Sequence, residues 1–176
     1  MEYDVLIQRA RQGDTGAFDA LYRLLYAPLF RFVLMRMKDR ELAEDVTQET
    51  FVVFVQHLKT FGSGSPLPYL HTVARNKIID HFRRRTPDVN DDALWALADS
   101  APTPEESARL GEEVSGVFVA LKTLSSAEAE VVKARYLDGL TTAEVATLLD
   151  KTEEAVRQLL SRGMRSLRAY YDDAND

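Results

Sequence analysis

Arg157, Gln158, Ser161, Arg162 and Arg165 recur every three or four positions, so a helix from Thr152 to Arg168 gathers them on one side, with Glu154 and Arg168. Guanidinium forks and an amide placed together suit hydrogen bonding to phosphates and to base edges in a DNA major groove. Val156, Leu159, Leu160, Met164 and Leu167 fall on the opposite side and read as core. The element that must position this helix lies just upstream. Thr141 to Leu149 reads as a shorter helix, opened by a capping box of Thr141 and Glu144 and joined through the tight Asp150, Lys151, Thr152 connection. Two helices so linked, the second longer and basic, spell a helix-turn-helix whose second helix meets duplex DNA. An arginine-bearing face is usually only solvated surface; the neighbouring short helix and tight turn favour DNA contact here.

A second constellation lies near the middle of the chain. A helix starting after Pro68 and continuing to Arg85 buries Leu70, Ala74, Ile78 and Phe82, and sets Tyr69, Thr72, Asn76, Ile79 and Arg83 roughly opposite. Arg75, Lys77, Arg83, Arg84 and Arg85 surround it with positive charge, and the loop before it, rich in Gly and Ser, has Phe61 at its root. Ring faces for unstacked bases beside cations for phosphates are what a single nucleic-acid strand needs, although an aromatic at helical spacing is more often core. A third helix, from about Leu42 to Leu58, buries Val46, Val53, Phe54 and Leu58. Its other face carries Asp45, Gln48, Glu49, Val52 and Gln56. An acidic strip with a valine in its middle fits either a solvated surface or a protein partner.

The chain of 176 residues, 45% hydrophobic, suffices for one large or two small packed domains. Its net charge of −6 is awkward for a nucleic-acid binder until it is mapped along the chain. Residues 61–85 hold five basic and one acidic side chain, 151–168 hold five and two, and 86–114 hold one and eight. Salt screens charges beyond roughly 8–10 Å, so the two basic windows decide where a polyanion docks. Residues 86–113, with Pro87, Pro102 and Pro104, read as a linker interrupted by a short helical turn at Leu94, Trp95 and Leu97 that docks elsewhere on the protein.

No alternation of strand type occurs. A short helix up to Gln12, a long one with Phe18, Leu21, Leu25, Leu29, Phe32 and Val33 as its stripe, and C-terminal helices from Glu112 to Leu121 and Ser126 to Leu137 complete an all-α reading. The absence of cysteine excludes disulfides, thiolate zinc and a cysteine nucleophile. No apolar run reaches the roughly twenty residues of a membrane span, and no signal peptide opens the chain, so the expected location is cytoplasmic. His57, His71 and His81 form no metal or catalytic constellation, and His81 reads as a packed residue; no catalysis, metal or cofactor is expected.

Taken together, Ala43 to Phe51, Pro68 to Arg85 and Gly139 to Leu149 with Val156 and Arg157 resemble, in order, the region-two helix, promoter-melting segment and region four of the extracytoplasmic-function sigma factors of bacterial RNA polymerase. The resemblance covers nearly the whole chain. It implies two small helical domains joined by a flexible acidic linker: region two over 1–86, the linker over 87–111 and region four over 112–176. It further implies that Asp45, Gln48, Glu49 and Val52 meet core polymerase at the clamp helices of its largest subunit, with the flap as a further contact. Phe61, Tyr69, Asn76, Lys77, Arg83 and Arg84 would hold the melted minus-ten strand, with one base flipped into a pocket. Lys151, Thr152, Arg157, Gln158, Ser161, Arg162 and Arg165 would read the minus-thirty-five duplex. Linker carboxylates would lie in the transcript channel, and an anti-sigma factor joins promoter DNA and polymerase among the implied partners. Tyr69 stands where the family usually has tryptophan, Asp150 where a turn glycine is common, and Leu159 where many members are basic. The competing reading is a stand-alone helix-turn-helix regulator with an N-terminal oligomerisation domain, which would bind duplex DNA unaided.

Overall fold

The computed structural model describes residues 2–174. Among them are ten α-helices, one π-helical turn and no strand. The contacts divide the chain into a unit ending at Ser100 and a unit starting at Ala101.

The first unit contains α1 (Glu2–Arg11), α2 (Thr15–Met37), α3 (Arg40–His57), α4 (Leu67–Arg83) and α5 (Asp91–Ala98). Local chemistry sets the boundaries. Asp14 caps α2 by accepting the Ala17 amide, and Asp39 caps α3 by accepting the Leu42 amide at 3.1 Å. Between them Lys38 adopts a left-handed conformation (φ 55°) and returns its amide to the Leu34 carbonyl, which ends α2 sharply. Leu21, Leu25, Leu29 and Val33 of α2 are at most 1% exposed, as are Phe54 of α3 and Leu70, Ala74 and Ile78 of α4. Each large side chain so buried contributes about 1.5–3 kcal/mol, which is what fixes the faces left outside.

Two expectations change here. Ile79, assigned to the outer face of α4, is 3% exposed, because α2, α3 and α5 all pack on this helix and a single buried stripe cannot serve them. The segment 87–111, read as flexible linker, holds two helices, and the first belongs to the first unit. Asn90 caps α5 by accepting the Ala93 amide, Asp91 and Asp92 occupy its positive first turn, and Leu94 and Ala98, four residues apart, are fully buried.

The second unit contains α6 (Pro104–Leu110), α7 (Glu112–Leu121), α8 (Ser126–Val132), α9 (Thr142–Leu148) and α10 (Glu153–Ala174). The helix α8 runs on through the π turn Lys133–Leu137, and Gly139 (φ 75°) follows. Reciprocal capping boxes open α6 (Thr103 and Glu106), α8 (Ser125 and Glu128) and α9 (Thr141 and Glu144). Val131, Ala134, Leu140, Val145, Ala146 and Val156 form the core, with Leu149, Leu159 and Leu160 packed against it. Leu159 therefore points inward, as the helical spacing requires. Between α9 and α10 the chain turns at Asp150 in the left-handed region (φ 50°), which Asp tolerates better than most residues. Met164, expected in the core, is 38% exposed and lines an apolar cleft with Val132, Tyr136, Leu167 and Tyr171.

Candidate functional site

Three helix faces carry the residues singled out above, two in the first unit and one in the second. On α3, Asp45, Gln48, Glu49 and Val52 are all exposed and follow one another at helical spacing. Val52 and Val55 are 57% and 44% exposed, so the acidic strip has an apolar centre wider than the single valine expected. The opposite side is fixed by Val46, Phe51 and Phe54, and by Thr47 and Thr50, whose hydroxyls donate to the carbonyls four residues back at 2.7 Å. Phe51 takes the buried place assigned to Val53, which is half-buried.

On α4, Tyr69, Thr72, Asn76 and Arg83 form one stripe, with Asn76 two turns beyond Tyr69. Phe61 and Tyr69 come together edge to face at 5.7 Å between ring centres, and both rest on the buried Phe54, at 5.6 and 6.4 Å. His57 joins the group 6.3 Å from Tyr69. The loop bearing Phe61 is tied at several points. Arg11 of α1 donates to the carbonyls of Leu58 and Phe61, and the Gly64 amide donates to Asp4 at 2.7 Å. That amide is the main reason the Asp4 carboxyl sits below its ordinary range. No local pattern announced Arg11 or Asp4, since a side chain bonded to backbone groups about fifty to sixty residues away leaves no periodic trace.

The cations of α4 are engaged. Lys77 donates to Glu49 at 2.8 Å, joining the two faces that the sequence kept apart. Arg83 bonds Asp80 and Asp91, and these partners raise its already high pKa. Arg75 lies 3.7 Å from Asp92 and 5.0 Å above the Trp95 ring. Asn76, Arg84 and Arg85 are exposed. Of the histidines, His71 rather than His81 is the packed one. It stacks on Phe32 at 4.2 Å, and burial first, then the nearby Arg36 charge, pushes its pKa down to about 3.

Lys151 and Thr152, just before α10, and Arg157, Gln158, Ser161, Arg162 and Arg165 on it are all exposed. The Thr152 hydroxyl accepts the Ala155 amide at 3.2 Å and so caps the helix. Arg157 pairs with Glu153 at 3.3 Å and with Glu154 at 3.5 Å, while Gln158 reaches Glu154 at 3.4 Å. Among the described residues no carboxylate from another helix touches Arg162 or Arg165. A capped short helix, a four-residue connection and a second helix packed through Val156 thus present a polar stripe from its first turn onward.

The family models Sigma-70 region 2 and Sigma-70, region 4 match residues 18–87 and 120–169. The chain is 34% identical over 168 residues to the ECF RNA polymerase sigma factor SigL of Mycobacterium tuberculosis, covering 89% of this chain and 92% of SigL. It belongs to the ECF sigma factors. As one of them it directs transcription. It is also 32% identical over 174 residues to BldN of Streptomyces coelicolor, covering 96% of this chain but spanning only 66% of BldN's own length. Among solved structures, the sigma factor RpoE in complex with the anti-sigma factor NepR from Bartonella quintana is 21% identical, with a TM-score of 0.53 over 88% of this chain and 96% of that one, and supports the two-unit helical fold. No helix among the described residues is long and apolar enough to cross a membrane.

Proposed function

We propose that this ECF sigma factor docks on core RNA polymerase through α3, captures the melted minus-ten strand on α4 and reads the minus-thirty-five duplex with α10. Asp45, Gln48, Glu49 and Val52 form the polymerase face: carboxylates ring an apolar centre, and the partner surface of matching chemistry is a basic one such as the clamp helices. The flap is the corresponding contact for the second unit. Phe61 and Tyr69 offer ring surface to unstacked bases, Asn76 a hydrogen-bonding amide, and Lys77, Arg83 and Arg84 the charge for phosphates. Each base stacked in this way contributes about 1–3 kcal/mol, so capture of the opened strand supplies the drive for melting. Lys151, Thr152, Arg157, Gln158, Ser161, Arg162 and Arg165 contact the closed duplex, the arginines and glutamine suited to purine edges.

The observation that carries this reading is the pairing of an aromatic and basic helix face in one unit with an exposed basic recognition stripe in the other. An anti-sigma factor as a further partner is suggested by the NepR complex of RpoE, which shares the fold. An electrophoretic shift with a cognate promoter, run with and without core polymerase and followed by run-off transcription, tests the reading. Retardation and a transcript that both require polymerase are expected. Equally tight binding by the chain alone would identify a stand-alone helix-turn-helix regulator instead.

A further inference from the structure

Helix α5 is acidic at its start and apolar along one side, and it is seated on the helix proposed to hold the DNA strand. Its anchorage is extensive. Leu94 and Ala98 are fully buried, and Trp95 lies over Arg36 and Arg75, each 5.0 Å from the ring centre. At its far end Asp99 pairs with Arg36 at 3.3 Å, and Lys38 donates to Ser100 at 3.1 Å. This seating delivers Asp91 to Arg83 and Asp92 to Arg75.

We propose that α5 is a tethered competitor of the nucleic-acid strand, its two leading carboxylates occupying on α4 the cations that strand phosphates would take. The proposal rests on the reading of α4 as the strand-binding helix and adds its regulation. A single exposed ion pair is weak and screened by salt. Here the apolar anchor holds both carboxylates beside their arginines, so an incoming phosphate competes against a ligand at high effective concentration. Two of the carboxylates expected to line the transcript channel, Asp91 and Asp92, are in this arrangement paired with α4. Free protein is thereby restrained from gripping single strands indiscriminately, and a strand already opened and held in place by polymerase displaces the carboxylates without unseating Leu94 and Ala98.

The test is fluorescence anisotropy of a labelled oligothymidylate with the full chain, free of polymerase, across a salt series. Asp91→Asn with Asp92→Asn should bind about fivefold tighter than the wild type, with a log–log salt slope steeper by about 1.4, the value for two added phosphate contacts on a single strand. Trp95 fluorescence should stay unchanged, showing that α5 remains seated. Asp91→Glu with Asp92→Glu, which keeps both charges, should return to wild-type affinity. Asp92→Asn alone disturbs the longer pair only, and should give a smaller gain in the same direction. Unchanged affinity and slope in both asparagine variants would overturn the masking. The reading of α4 itself is checked separately: Arg83→Ala in the polymerase complex should weaken binding to a pre-opened template, and its failure to do so would remove the strand-binding role rather than the masking alone.

Discussion

Helices α4 and α10 are both basic and amphipathic, yet their cations are kept differently. On α4, Lys77, Arg75 and Arg83 are met by Glu49 of α3 and by Asp92 and Asp91 of α5. On α10, Arg157 is met only by glutamates one turn back in its own helix, and Arg162 and Arg165 stand in solvent. Carboxylates from the same helix move with it and leave its outer face open, whereas carboxylates from neighbouring helices cover that face. On the proposed reading, the surface assigned to duplex DNA is therefore ready in the free chain, while the surface assigned to the opened strand is latent. That order suits initiation, where closed DNA is met before open DNA.

The largest effect should come from the surface that only the first unit has. Asp45→Lys with Glu49→Lys should weaken association with core polymerase at least a hundredfold in a pull-down, the scale of like charges set against a complementary patch, while far-ultraviolet dichroism stays the same. Normal retention by the variant would detach α3 from that role.

Acid should separate the two units next, because all three histidines lie in the first. His71 is neutral when folded, with its pKa held near 3 against 6.5 when unfolded, so the stability of that neutral state is complete above pH 6.5 and is lost as pH falls through the window down to about 3. His81 is shifted the same way, chiefly by burial, then by Arg85 and Arg84. At about 1.4 kcal/mol per pH unit, urea unfolding followed by Trp95, the single tryptophan and a resident of the first unit, should lose about 2 kcal/mol between pH 6.5 and pH 5. His71→Phe keeps the stack on Phe32 and should flatten most of that slope; an equal slope in the variant would contradict the assignment.

Within the second unit, two helical glycines should respond with opposite signs. A Cβ on Gly163 would meet Val132 Cγ2 at 2.9 Å, and a β-branched side chain has little room to yield, so Gly163→Ala should cost about 1 kcal/mol net of its helix gain. Gly116 of α7 has open space around the same position, and Gly116→Ala should stabilise by about 0.5–1 kcal/mol. Thermal melts of the two variants decide both signs. The smallest effect concerns a single phosphate. Arg162→Ala should weaken promoter duplex binding by the polymerase complex several-fold and flatten its salt slope by about 0.9; an unchanged slope would take Arg162 off the DNA backbone.

How much of this was legible in the sequence follows from the range of the interactions. The helix-turn-helix could be read almost to the residue, because the capping box of Thr141 and Glu144 and the stripe from Val156 to Leu160 act within a few positions of each other. The exposure of Asp45, Gln48, Glu49 and Val52 was legible for the same reason. The seating of α5 was not. Leu94, Trp95 and Leu97 read as a short turn that docks, but nothing local says on what, because their partners Phe32, Arg36 and Arg75 stand about twenty to sixty positions earlier. Ile79 was misjudged and His71 passed over because a helix wheel assumes one buried side, and α4 is packed on several. Arg11, which ties down the loop of Phe61, acts through backbone carbonyls, whose positions no side-chain pattern reveals.

The division of labour between the two units is tested most directly by equilibrium binding of the polymerase complex to two templates, one fully duplex and one with the minus-ten region already unpaired. Arg157→Ala with Arg162→Ala should weaken both templates by the same factor, while Tyr69→Ala with Asn76→Ala should weaken the pre-opened template and leave the initial closed complex on duplex DNA untouched. If the α4 variant lowered closed-duplex binding as much as the α10 variant, or if neither distinguished the templates, the assignment of opened strand to one unit and closed helix to the other would fail.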